Sequence, residues 1–148
     1  MQLCLYTLGN KAAPGPATAL ISDYLARASR YLPCAHTRVA SEAALLTLLE
    51  KKAARTTPVL ILTDSRGKQL TSEEFAATLG GFQDSGAQHI AIAIGPPDGW
   101  SPQALQRANL TIAFGRITLP HELAAVVAAE QIYRAFTIRA GHPYHTGH

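Results

Sequence analysis

Residues 142–145 read His-Pro-Tyr-His. Two imidazoles and a phenol on a proline-stiffened segment can accept, donate and stack, which suits a nucleobase ring better than a packed core. His142, His145 and His148 recur at a spacing of three. No carboxylate or cysteine stands near them, so no metal site is expected. Two glycine- and proline-bearing stretches follow apolar runs: Gly95-Pro-Pro-Asp-Gly99 and Gly115-Arg-Ile-Thr-Leu-Pro120. There is no Gly-x-Gly-x-x-Gly and no phosphate-loop pattern. Dinucleotide and nucleoside triphosphate binding are therefore unsupported, and any other nucleoside-type ligand needs a separate argument.

These groups have to be positioned by regular elements. Apolar runs of strand length alternate with helical patterns. Strands are expected at Leu3–Leu8, Cys34–Val39, Val59–Thr63, Ile90–Ile94 and Leu110–Phe114. Helices are expected at Pro16–Leu32, Ser41–Ala54, from Thr71 to about Asp84, from Ser101 to about Ala108, and at Pro120–Ala140. Thr71-Ser-Glu-Glu74 reads as a capping box, and Ser101-Pro102 as an N-cap followed by proline at the first helical position. Such alternation predicts an α/β fold, a mostly parallel sheet with helices on both faces. Ligands of such sheets bind beyond the carboxyl ends of the strands. The loops there are Gly9–Pro14, Asp64–Gln69, Gly95–Trp100 and Gly115–Pro120. Lys11, Arg66, Lys68 and Arg116 fall in them and would ring the crevice with charge suited to RNA phosphates.

The helix ahead of the tail is apolar over most of its circumference. One face would pack on the sheet, and a twofold copy of the same helix is the simplest cover for the other. Glu130 and Arg134 form an i,i+4 pair, either solvated or at that interface. His121, in the first turn, either caps or packs the helix or takes part in chemistry. His36 and His89 look incidental.

With 148 residues the chain fits one domain, residues 1–148. Only 16% of residues are charged, against roughly 25% in a typical domain. That shortage favours an oligomer with part of its surface hidden. A net charge of +3 permits nucleic-acid contact without demanding it. Cys4 and Cys34 sit in strand-like runs and read as buried reduced thiols. No signal peptide and no membrane-spanning run is apparent, so a cytoplasmic location is expected, with no membrane partner.

The combination Ile-Gly-x-Pro-x-Gly-x-Ser, Thr-Leu-Pro-His, Glu-x-x-Tyr-Arg-Ala and His-Pro-Tyr-His resembles the ribosomal RNA large subunit methyltransferase H family of the SPOUT superfamily. The resemblance covers nearly the whole chain and is densest from Ile94 to His145. It implies an enzyme that uses S-adenosyl-L-methionine to methylate N3 of a pseudouridine in large-subunit (23S) ribosomal RNA, within the large subunit or the whole ribosome. It also implies a C-terminal trefoil knot and a homodimer through the last helix. The cofactor would lie against Thr63, Gly95, Pro96 and the stretch Gly115, Arg116, Ile117, Thr118, Leu119 and Pro120. Lys11, Arg66, Lys68, Arg116 and His142 would face RNA. His145 would serve as base or proton relay, and Tyr144 would position the uracil ring.

The chain departs from the family at two places. Pro96 stands where relatives usually have a second glycine, which removes an N–H and fixes φ. Thr146 stands where they usually carry Arg or Lys. A non-catalytic RNA- or ribosome-binding relative that has lost the cofactor is the alternative reading. A right-handed crossover would leave the end of the last helix away from its own site, so the tail would complete the site of a partner subunit.

Overall fold

The computed structural model describes residues 1–9 and 15–147. Lys11 and His148, both singled out above, lie outside the described residues. The elements in chain order are β1 (Gln2–Leu8), α1 (Pro16–Ala28), β2 (Cys34–Val39), α2 (Glu42–Ala53), β3 (Val59–Gln69), α3 (Ser72–Asp84), β4 (His89–Ile94), α4 (Pro102–Arg107), β5 (Leu110–Ala113) and α5 (His121–Ala140). A short 3-10 turn at His145–Gly147 follows.

The five strands form one sheet in the order β2-β1-β4-β3-β5. Every pairing is parallel. The alternation of side chains along a strand builds two cores. Leu3, Leu5, Ile61, Ile90, Ile92 and Ile94 face α1, α3 and α5. Leu60, Leu62, Ala91 and Ala93 face α2 and α4. In β4 the isoleucines all point to the first face and the alanines to the second, where the Trp100 side chain is buried among them. This explains a run with no polar alternation: both faces are covered.

The caps were legible. Ser41 Oγ accepts from Ala44 N, Ser101 Oγ from Ala104 N, and Thr71 with Glu74 closes the capping box. Helix α1 ends at Ala28, earlier than the expected Leu32. Ser29 Oγ donates to Leu25 O and accepts from Cys34 N, which turns the chain into β2.

The larger correction concerns β3. Its expected end at Thr63 is only a break in register. Ile112 of β5 pairs with Thr63 and again with Lys68, so Asp64–Gly67 bulges out and the strand resumes to Gln69. Gly67 makes this feasible: a Cβ there would lie 2.6 Å from the Ile112 carbonyl carbon. No local pattern marks such a bulge.

Helix α5 packs between α1 and α3 on the sheet. Much of its apolar girth is thus covered within the chain, by α1 and α3 as well as by the sheet. Leu123, 51% exposed, remains outside. No described helix is long and apolar enough to cross a membrane.

Candidate functional site at the carboxyl edge

A cavity of about 930 Å³ opens at the carboxyl edge of the sheet. Thr63, Gly95, Pro96, Gly115, Arg116, Ile117, Thr118, Leu119 and Pro120 all line it. The β3 bulge and the loops after β4 and β5 therefore converge at the edge where the strand-end rule puts ligands.

The floor is a backbone lattice. Thr63 Oγ1 donates to Ala93 O (3.2 Å) and accepts from Gly95 N (3.3 Å). Trp100 Nε1 donates to Thr63 O at 2.8 Å. Gly95 is confined by this lattice: a Cβ would lie 2.8 Å from Trp100 Nε1 and 2.9 Å from Thr63 O. Pro96 keeps the loop folded, because its carbonyl accepts from Gly99 N at 2.9 Å. Gly99, at φ +81°, takes a left-handed conformation that favours glycine.

Asp64 ties two of the loops together. Its side chain is 1% exposed. Its carboxylate accepts from Arg66 N (3.0 Å), Arg66 Nε (2.8 Å), Arg66 Nη2 (2.8 Å) and Trp100 N (3.1 Å). The Arg66 guanidinium holds the Asp64 carboxyl well below the usual range, against the opposing effect of burial. Asp64 in turn pushes the Arg66 pKa up. Arg66 Nη2 also donates to Trp100 O at 3.0 Å, so the arginine is fixed at one end and exposed at the other.

His121 belongs to the cavity wall. Its Nδ1 lies 3.2 Å from Gly95 O, and its Nε2 is buried without a partner. The helix it opens has no side-chain cap, so capping is not its role. His36 sits in β2. Its Nε2 meets the buried Thr7 Oγ1 at 2.8 Å. Burial first, then the charges of Arg38 and His121, lower its pKa.

Of the expected RNA-facing residues, Arg66 lies against Gly99 of the cavity wall, and Arg116 lines the cavity. Lys68 is exposed on the resumed part of β3. His142 is exposed in the tail, where its Nδ1 accepts from Tyr144 N at 3.1 Å.

The tail folds back onto its own chain. The Tyr144 ring meets the Tyr133 ring edge-on at 4.7 Å, and Arg134 lies 4.9 Å from the Tyr144 centroid. His145 Nε2 is 2.7 Å from Glu73 Oε1, and its Nδ1 is 2.9 Å from Arg134 Nη1. Glu130 accepts from Arg134 Nε at 2.7 Å, with side chains only 17% and 12% exposed. This pair is enclosed rather than solvated. Arg134 is thirteen residues along α5 from His121, about 20 Å at 1.5 Å per residue. The imidazole beside Arg134 is therefore well away from the cavity of its own chain. Thr146 closes the last turn, its hydroxyl donating to Pro143 O at 2.8 Å.

Sequence reasoning left His121 open between capping, packing and chemistry, and did not single out Asp64 or Trp100 within their loops. His121 had a signal, the Thr-Leu-Pro-His run beside a ligand loop. Asp64 and Trp100 had none, since their pairing spans 36 positions.

Residues 1–145 match the family described as predicted SPOUT methyltransferase. A ribosomal RNA large subunit methyltransferase H of Koribacter versatilis is 47% identical over 148 residues, covering all of both chains. One of Rhizobium rhizogenes is 40% identical over 98% of this chain and 99% of its own. Among solved structures, the SpoU methyltransferase AviRb of Streptomyces viridochromogenes, in complex with AdoMet, aligns with a TM-score of 0.54 at 17% identity. The match covers 95% of this chain but 58% of AviRb, so this chain spans under two thirds of that one. A probable methylase family protein of Haemophilus influenzae aligns at 0.55 with 9% identity, over 96% of this chain and 69% of its own. These two likenesses concern the fold, whereas the sequence relatives and the family match span all or nearly all of the chain: the chain belongs to the SPOUT methyltransferases, in the ribosomal RNA large subunit methyltransferase H family.

Proposed function

We propose that the protein transfers a methyl group from S-adenosyl-L-methionine to N3 of a pseudouridine in large-subunit ribosomal RNA. The observation that carries this reading is the cavity where the β3 bulge meets the loops after β4 and β5, in a chain whose sequence relatives are named ribosomal RNA large subunit methyltransferase H. Its volume lies within the span of small-molecule pockets. The lining residues fit a nucleoside-type ligand. Backbone groups of Gly115 to Pro120 can meet a nucleoside, and the buried unpartnered His121 Nε2 offers a polar contact for a ligand hydrogen.

In this reading Thr63, Gly95, Pro96 and Gly115, Arg116, Ile117, Thr118, Leu119 and Pro120 hold the cofactor. When bound, it supplies an electrophilic methyl group whose C–S bond breaks with the electron pair left on sulfur. Arg66, Lys68, Arg116, His142 and Lys11 meet RNA phosphates and sugars. Tyr144 positions the uracil ring, and His145 takes the N3 proton. Holding donor and acceptor in contact contributes most, and a positioned base adds about 10²–10⁴-fold. Because His145 sits beside Arg134, about 20 Å along α5 from His121 of the cavity wall, the tail serves the cavity of a partner subunit in a homodimer. The threaded backbone implied by the resemblance is part of the same reading.

The test uses large ribosomal subunits from cells lacking this protein, incubated with the protein and deuteromethyl-labelled S-adenosyl-L-methionine. Nucleoside mass spectrometry should find the label on a pseudouridine. Absence of label, with no cofactor binding by calorimetry, would favour the alternative of a non-catalytic RNA-binding relative that Pro96 has deprived of its cofactor.

A further inference from the structure

His145 is held by two side chains that lie on neither the tail nor the cavity wall. Glu73, at the start of α3, meets its Nε2, and Arg134 of α5 meets its Nδ1. A guanidinium only donates, and an ionised carboxylate only accepts. The hydrogen bond from His145 is the first cause that holds the Glu73 carboxyl below its usual range, so Glu73 is ionised at neutral pH. The ring is therefore the neutral Nε2–H form: Nε2–H donates to Glu73, and Nδ1 accepts from Arg134. A ring protonated on both nitrogens would set an N–H against the Arg134 N–H at 2.9 Å.

We propose that Glu73 is a positioning residue that presents His145 Nδ1 as the proton acceptor, with Arg134 occupying the Nδ1 lone pair until substrate arrives. The inference rests on the reading of His145 as the base. An N–H of Arg134 stands where a substrate N–H would donate. Arg134 already has Glu130 as a second acceptor. A phosphate oxygen of RNA is the kind of group that draws a guanidinium further. With Arg134 turned away, the proton of substrate N3 moves to Nδ1 and the Nε2–H stays on Glu73. The resulting imidazolium then lies against a carboxylate, the arrangement by which a carboxylate orients and supports a histidine base. The sequence separation of 72 positions hid this pair from any local reading.

The test combines a spectroscopic and a kinetic readout on the full chain. The His145 Nε2–H proton, assigned with His145→Gln, should be visible far downfield, because its short bond to Glu73 deshields it and slows its exchange. It should vanish in Glu73→Ala. In methyl transfer to large subunits, Glu73→Ala should lower kcat about tenfold or more. KM for the subunit and cofactor affinity should stay within about twofold, since neither depends on a general base. Glu73→Asp should recover part of kcat, and Glu73→Gln, which keeps an acceptor but no charge, should recover less. An unchanged kcat in Glu73→Ala, or a loss confined to KM, overturns the proposal, as does a missing downfield proton in the unaltered protein. If His145→Gln keeps full kcat, the base reading itself fails. If His145→Gln is inactive while Glu73→Ala is not, only the role of Glu73 falls. If the unaltered protein transfers no methyl group, both fall together.

Discussion

Replacing Asp64 probes the support of the site more directly than replacing a residue of the cavity rim. The carboxylate joins the β3 bulge to the loop after β4 through Arg66 and the Trp100 amide. In Asp64→Ala, the buried Trp100 N–H loses its acceptor, which costs about 1–3 kcal/mol. The exposed end of Arg66 stays solvated, so its charge adds little. For a chain of this size about 2 kcal/mol corresponds to a fall in Tm of roughly 4–8 °C. Asp64→Asn keeps one oxygen for Trp100 but no charge for Arg66, and should lose less. The pH dependence follows from the sign of the shift. The folded pKa of Asp64 is depressed, so its contribution is complete above the unfolded value, about 3.9, and is lost as pH falls towards the folded one. The Tm gap between the unaltered protein and Asp64→Asn should therefore be constant near neutrality and narrow below about pH 4. Differential scanning calorimetry across pH, with titration calorimetry of S-adenosyl-L-methionine, measures both. Cofactor binding to Asp64→Ala should weaken at least about tenfold, since two walls move. A Tm within about 1 °C of the unaltered protein, with intact binding, would refute the claim that this carboxylate holds the cavity together.

Gly95→Ala sets a methyl group 2.8 Å from Trp100 Nε1. It should break the Trp100–Thr63 bond and abolish measurable cofactor binding in calorimetry; retained affinity would mean the loop relaxes freely. Thr71→Ala removes the capping box of α3 and should lower stability by about 1 kcal/mol, seen in urea unfolding as a shifted midpoint with an unchanged slope. A mixed dimer of one subunit truncated after Gly141 and one carrying Gly95→Ala should recover methyl transfer that neither parent shows. An inactive mixed species, once shown by native mass spectrometry to have formed, would remove the shared site.

The local record in the chain carried a long way. Apolar runs of strand length gave strands, the Ser41, Thr71 and Ser101 caps gave helix starts, and alternation of the two gave a parallel sheet with ligand loops at one edge. Residues 95–96 and 115–120 were legible as loops, and they line the cavity, because glycine and proline after a buried strand mark a loop wherever the rest of the chain lies. What escaped was every feature made by distant partners. The β3 bulge needs the backbone of Ile112 against Gly67, the cavity floor needs Trp100 on Thr63 and Asp64, and the tail needs Glu73 and Arg134 around His145. Short-range pattern records what each segment prefers by itself. Which polar groups meet across 36 or 72 positions is decided only when the sheet order β2-β1-β4-β3-β5 brings their segments together, because a buried donor or acceptor must then find its partner among whatever the fold has placed beside it.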